Sequence, residues 1–430
     1  MRKLFYISNF GILGVFLLAI GLDHKREWKK HQRGYYEMEA ARLEEELKSA
    51  GDEAERKSIQ SQIRSFRRRP LEIKQIITPD LGRVDRCVTC HVGMDEFTNP
   101  SLSNPFAEHP FKAHPKSIAK SHSFQQYGCV ACHAGQGLAT TAEAAHGQVE
   151  HWEEPLLKAP YLEAACAKCH GNFESLSETK TAALGKKLFE KHGCIGCHAV
   201  NGRGGVISVD LGDIADKPLA RIDFSKSGLD RKDWNIKNWI ETHLTKDPME
   251  LVPNDPEGHL GEPISPSGMP PFAGEINAAQ AQAITTYLLT MSKQPLPHTY
   301  YVPGAPAKER SSGDPAKRGQ MVFEKYGCAG CHGLGGAAGR RNFNALADKQ
   351  TRMEDGRVPS LVRVVGTYSP EELKKKIQEG VPSSAISKFK PEGPTPPLYM
   401  PGWSEKIKGP ELDDLASYLF SVADQDSGGW

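Results

Sequence analysis

All ten cysteines of this 430-residue chain fall in one pattern, Cys-x-x-Cys-His, used five times. The copies are Cys87-Cys90-His91, Cys129-Cys132-His133, Cys166-Cys169-His170, Cys194-Cys197-His198 and Cys328-Cys331-His332. No cysteine is left over for a disulfide framework or for thiol catalysis. Zinc sites also use Cys-x-x-Cys pairs, but they have no need of a histidine directly after each one. Histidine is only 16 of 430 residues, so its return after every pair is not chance. This spacing is the attachment motif of c-type haem: both thiols bond covalently to the haem, and the adjacent imidazole binds the iron. Five covalently attached haem c groups are therefore expected. Cys87, Cys90, Cys129, Cys132, Cys166, Cys169, Cys194, Cys197, Cys328 and Cys331 hold them, with His91, His133, His170, His198 and His332 as proximal ligands.

The rest of the composition suits a chain whose core is partly cofactor. Apolar residues make up 38%, while Gly 41 and Pro 30 imply many loops. The length allows two to four folding units. Lys plus Arg is 54 against Asp plus Glu 53, a balance that argues against nucleic acid as a partner. Haem propionates change that balance, taking +1 to roughly −4 with all five irons oxidised and roughly −9 with all reduced.

Residues 1–22 contain an apolar stretch, Leu4 to Leu22, long enough to cross a bilayer. A cleaved signal peptide and a retained anchor are both open readings. Ala19-Ile20-Gly21 suits cleavage, whereas the length of the apolar stretch favours a retained transmembrane helix, which is the reading taken here. Haem attachment takes place outside the cytoplasmic membrane, so the haem domains are expected on the periplasmic side of the inner membrane, behind a single pass. Residues 23–79 read as a charged helical stalk, interrupted near Gly51-Asp52. With Leu43 and Leu47 as its sparse apolar stripe it is marginal alone, and reads as a solvated stalk or as a helix lying along a partner.

Residues 80–177 carry three motifs in too short a span to wrap each haem in its own helical domain. A haem-packed trihaem domain is expected, the haems supplying much of the core. Six further histidines stand nearby: His109, His114, His122, His146, His151 and His192. Met94 is too close to His91 to reach the far face of its haem, so the distal ligands are drawn from histidine. His114, His122 and His146 are favoured, with His109 and His151 as substitutes.

Two later segments repeat one order. Leu184-Gly185-Lys186-Lys187-Leu188-Phe189 runs into Gly193-Cys194, and Arg318-Gly319-Gln320-Met321-Val322-Phe323 runs into Gly327-Cys328. Each is followed by Met-Pro, at Met269-Pro270 and Met400-Pro401, and then by an amphipathic helix, 277–291 and 411–422, with a central Tyr287 or Tyr418. This order resembles the class I cytochrome c family. The resemblance implies two three-to-four-helix domains, 178–294 and 315–430, joined by a Pro/Gly linker at 295–314, with Met269 and Met400 as distal iron ligands. The fold class expected for the whole is mainly α with extensive loops.

Asp85-Arg86-Cys87, the His109-Pro110 and His114-Pro115 dipeptides, Gly135-Gln136-Gly137, Ala139-Thr140-Thr141 and His151-Trp152 resemble the multihaem cytochrome subunits associated with cytochrome b and Rieske-type quinol-oxidising complexes. That resemblance implies a membrane quinol-oxidising complex as one partner and a soluble periplasmic electron acceptor as the other. The expected function is electron transfer between them, without catalysis by this chain alone. The alternatives are a haem enzyme of the dihaem peroxidase or thiosulfate-oxidising type, or a NapC/NirT-like quinol dehydrogenase. From the last the chain departs in having three haem motifs near the anchor, not four, and two added Met-containing domains.

Overall fold

The computed structural model describes the chain except residues 1, 95–105, 107–108, 113, 151, 206, 252–267, 294–295, 305–311, 338, 341, 343–356, 382–398 and 425–430. It is mainly helical, with two short antiparallel strand pairs among the described residues. The chain divides into two compact units, Met1–Leu157 and Lys158–Trp430. That division falls inside the 80–177 segment, so the third motif is built into the second unit.

In the first unit, α1 (Arg2–His24) is long and apolar enough to cross a membrane, with none of its residues buried against protein. Helices α2 (Glu27–Ser49) and α3 (Glu53–Arg68) form a hairpin. The chain turns at Gly51-Asp52, where the Asp52 side chain caps α3 by accepting from the Glu55 N–H at 2.7 Å. The sparse apolar stripe of α2 is covered by its own chain: Ala40 and Leu43 pack on Ile59 and Ile63, with Leu47 and Phe66 alongside. This tertiary contact supplies what a short polar helix lacks by itself. The other end of α2 is fastened to the first motif. Tyr35 and Tyr36 cluster with Val92 and Phe111, and the buried Gln32 amide donates to the Thr89 carbonyl at 3.1 Å and the Glu72 carbonyl at 2.6 Å. Strands β1 (Ile76–Thr78) and β2 (Arg83–Asp85) pair antiparallel, Ile76 opposite Asp85, and deliver the chain to Cys87.

The second unit contains the internal repeat. Helix α4 (Lys180–Lys191) crosses α6 (Ala278–Leu288), and α7 (Pro315–Lys325) crosses α9 (Pro410–Asp424). Between the members of each pair lie α5 (Ile236–Thr245) and α8 (Pro370–Glu379). The repeated glycines mark the crossings. A methyl group at Gly185 would collide with the Ala283 carbonyl, and one at Gly319 with that of Asp414. The repeated aromatics lock them: Phe189 meets Tyr287 with centroids 5.5 Å apart, and Phe323 meets Tyr418 at 5.4 Å. The third motif joins this unit through Glu163, whose carboxylate accepts from the Thr181 and Ala182 amides at 2.7 and 2.9 Å at the start of α4. Its other side is held where Gly171 N–H donates to Val302 O at 2.9 Å and Val302 N–H to Cys169 O at 2.8 Å.

Substituting Gly319→Ala should cost about 1–3 kcal/mol, since the backbones at the crossing must part. Denaturant unfolding followed by far-UV circular dichroism tests this, and an unchanged midpoint would show that the helices do not meet there.

Candidate haem sites

All five motifs make the same turn. The histidine N–H donates to the first cysteine carbonyl at 2.8 Å in the first and third motifs and at 3.0 Å in the second, fourth and fifth. One tight backbone turn holds the two cysteines and the histidine close together, as three bonds to a single cofactor require. In four motifs the ring is then fixed by its other nitrogen. His91 Nδ1 lies 2.9 Å from Pro110 O, His198 Nδ1 2.8 Å from Val209 O and His332 Nδ1 2.8 Å from Pro359 O, while His133 bonds the Leu157 carbonyl. A carbonyl can only accept, so Nδ1 carries the proton and Nε2 keeps its lone pair. Burial adds to this by lowering the pKa of all four rings, holding them neutral. Burial also pushes the Cys194 and Cys328 thiols up to about 12, the reverse of the activation that a nucleophilic cysteine needs. These residues fit covalent haem with an axial imidazole.

The structure brings two of the favoured distal histidines onto proximal ones. The His91 and His146 rings stand 6.4 Å apart, centroid to centroid, and those of His114 and His133 stand 5.8 Å apart. Two imidazoles on opposite sides of one metal, each bonded at about 2.0 Å, have centroids about 6 Å apart. His114 and His146 are thus the favoured histidines whose rings lie beside motif histidines among the described residues. His122 is placed beside Tyr127, with centroids 5.3 Å apart, and belongs to neither pair. His109 is exposed, and His151 lies outside the described residues. His192 is a buried ring packed edge-on against Phe272. Met269 and Met400 are half-buried, and Met400 packs against the core of the last domain.

The first two motifs are clamped by a residue that the motif pattern does not mark as special. Asp85 is 1% exposed, and its carboxylate accepts from the Cys87 N–H at 2.9 Å, the Cys129 N–H at 2.6 Å and the Val130 N–H at 2.8 Å. The Cys87 and Cys129 thiols are hydrogen-bonded neighbours beside it. One carboxylate therefore ties two attachment loops together.

The fourth and fifth motifs meet backbone to backbone. Gly193 lies against Gly330 and Gly196 against Gly327, so closely that a methyl group at any of the four would collide with the opposite loop. The contact is reciprocal: the glycine before each motif meets the glycine inside the other. The Cys197 and Cys331 thiols are hydrogen-bonded across it. Beside this junction Arg340 forms a two-pronged ion pair with Glu275, at 2.6 and 2.9 Å.

Sequence reasoning singled out Asp85 only within the Asp85-Arg86-Cys87 resemblance and missed its bridging role, the Arg340–Glu275 pair and His243. His243 sits on α5 with Nδ1 3.2 Å from Trp239 O, an electrostatic neighbour of His198. Aligning the helices by their caps, Asn235 and Ser369, puts it where α8 carries the buried Ile377. Burial lowers its pKa to about 4. The repeat offered the only signal: an imidazole standing where its sister helix has a core aliphatic residue.

Compared with protein families, residues 182–292 and 316–423 each match the cytochrome c family, together just over half the chain. Comparison with curated proteins and with solved structures gives no match. The chain belongs to the cytochrome c family, and its two matched regions bind haem c covalently and carry haem-based electron transfer.

Two outcomes follow. Asp85→Ala leaves buried amides in both loops without their acceptor, each at about 1–3 kcal/mol, so the ligand-field spectra of the first two motifs should change together. A change at one motif alone would show that the loops are independent. His243 has a folded pKa below its unfolded value, so its contribution is complete above pH 6.5 and is lost as the pH falls towards 4, about 3 kcal/mol in all. His243→Ile should flatten the dependence of stability on pH across that range, which acid titration of the unfolding midpoint measures.

Proposed function

We propose that this chain is a membrane-anchored pentahaem cytochrome that carries electrons from a membrane quinol-oxidising complex, with cytochrome b and Rieske-type subunits, to a soluble periplasmic acceptor. The observation that carries the reading is the common turn of all five motifs, combined with their division by available partner. His91 and His146 would hold the first iron, and His133 and His114 the second. His198 and Met269 would hold the fourth, and His332 and Met400 the fifth. A thioether opposite the imidazole raises the haem potential, while a second imidazole leaves it lower. Electrons therefore run downhill from the anchored, imidazole-rich end to the methionine-containing domains. The chain's own part is to hold each imidazole neutral and aimed, and to keep water from the iron faces by burying the rings. With propionates ionised the surface is acidic, which steers a soluble partner that presents a basic face.

The helix α1 tethers and does nothing more. Residues 4–22 have no carboxylate or imidazole to take a quinol proton. One helix also cannot wall a quinone pocket, which needs an apolar enclosure with a few placed polar groups. Tethering raises the effective concentration of the haems at the partner.

Met269→His and Met400→His should each keep a low-spin iron while lowering one potential. Spectroelectrochemical titration of the single variants reads this, and two unmoved high-potential waves would remove the methionines from the ligand set. The purified chain should be reduced slowly by a menaquinol analogue in stopped flow. Fast reduction would place a quinol site on this subunit and favour the quinol dehydrogenase reading. A high-spin ferric haem at rest would instead favour an enzyme, because catalysis at iron needs an open position.

A further inference from the structure

The junction between the fourth and fifth motifs contains a buried charge that helix packing does not require. Arg340 is 5% exposed, and its backbone is tied to the fifth motif, the Arg340 N–H donating to Cys331 O at 2.9 Å. Its side chain reaches the other domain. Both outer nitrogens donate to the Glu275 carboxylate, and the guanidinium lies over the Phe272 ring, 4.3 Å from its centroid. The remaining nitrogen, Nε, has no partner among the described residues. Around it stand Cys194 and Cys197 of the fourth motif and Cys331 of the fifth, each of which feels its positive charge, while at the buried His192 the Glu275 carboxylate acts more strongly than Arg340. A buried charge that is imperfectly satisfied is costly, and stability alone is a weak reason for keeping one.

We propose that Arg340 is a shared positioning residue of the two haems: one guanidinium, placed where their attachment loops touch, that sets both potentials together. The inference deepens the electron-transfer reading and rests on haem at the two family-matched regions. Reducing an iron adds one negative charge to its site, and a cation within the same low-dielectric junction favours that state. Glu275 does not cancel the effect. Its carboxylate is 42% exposed, so water screens it, while the guanidinium is buried. The net field at the sulfurs is positive. Because Cys197 and Cys331 adjoin one another, that field acts on both haems alike and keeps their potentials close. An electron then passes between them without a trap on either side.

The sign of the effect gives the test. Arg340→Gln in the full-length holoprotein should lower both high-potential midpoints together in spectroelectrochemical titration. Arg340→Lys should restore them in large part, since it keeps the charge and loses the fork. Glu275→Gln should move both midpoints upward. Loosened packing would move the two variants the same way, so opposite shifts separate electrostatic control from a structural role. The proposal is overturned if Arg340→Gln moves one midpoint alone or neither, or if Glu275→Gln also lowers them. Should Arg340→Gln fail to fold, the upward shift in Glu275→Gln still decides the matter. Ferric low-spin spectra recorded on the same samples report separately on whether both haems are present and six-coordinate.

Discussion

A backbone carbonyl that accepts a hydrogen bond from Nδ1–H leaves an imidazole with one free nitrogen and one direction in which to use it. The Pro110, Val209 and Pro359 carbonyls do this for His91, His198 and His332, and the Leu157 carbonyl bonds the His133 ring. Much of the remaining architecture holds those carbonyls and the cysteine turns in place. Strands β1 and β2 bring Asp85 to two loops, Gln32 ties α2 to the first motif, and the glycine crossings of α4 with α6 and of α7 with α9 set the frame behind the fourth and fifth. Helix propensity contributes little to this. The chain is ordered by polar groups whose partners are backbone atoms far away in sequence.

The same point explains what could be read in advance. The motifs, the glycine and phenylalanine offsets and the methionine–proline pairs are local patterns, visible because covalent attachment and helix crossing each demand fixed spacings. Helices placed at 277–291 and 411–422 from periodicity occur at Ala278–Leu288 and Pro410–Asp424, the former opened by a capping box at Asn277 and Gln280. Long-range pairing was not legible. The sequence favoured His114, His122 and His146 without partners, and only the fold shows the His146 ring beside that of His91. Arg340 and Glu275 are 65 residues apart, and nothing near either one marks it as half of a pair. The stalk was misleading for a related reason: its hydrophobic stripe is too sparse to stand alone, and the helix that covers it comes later in the same chain.

Two kinds of junction join the attachment loops, and they differ in physical character. The first and second motifs share an anion, Asp85, whose three accepted hydrogen bonds make the pair a polar assembly. The fourth and fifth share a cation, Arg340, set beside bare backbone. A carboxylate near a haem disfavours the added electron, and a guanidinium favours it. Under the proposed ligand assignment, local charge and iron ligand would act in the same direction.

The reciprocal glycine contact has a further meaning. Each loop offers the same two positions, one before the motif and one within it, and the first position of each loop meets the second position of the other. That is the signature of an isologous interface, in which a surface is complementary to itself. Ordinarily it belongs to two identical subunits related by a two-fold axis. Here both halves lie on one polypeptide and have diverged in sequence, yet the self-complementary patch survives. The two repeated regions of the second unit thus meet as the halves of a fused dimer would, with the Cys197 and Cys331 thiols hydrogen-bonded where they touch. Arg340, whose backbone is tied to one loop and whose side chain pairs with Glu275 of the other region, reaches both halves from one position, an arrangement open only to a fused pair.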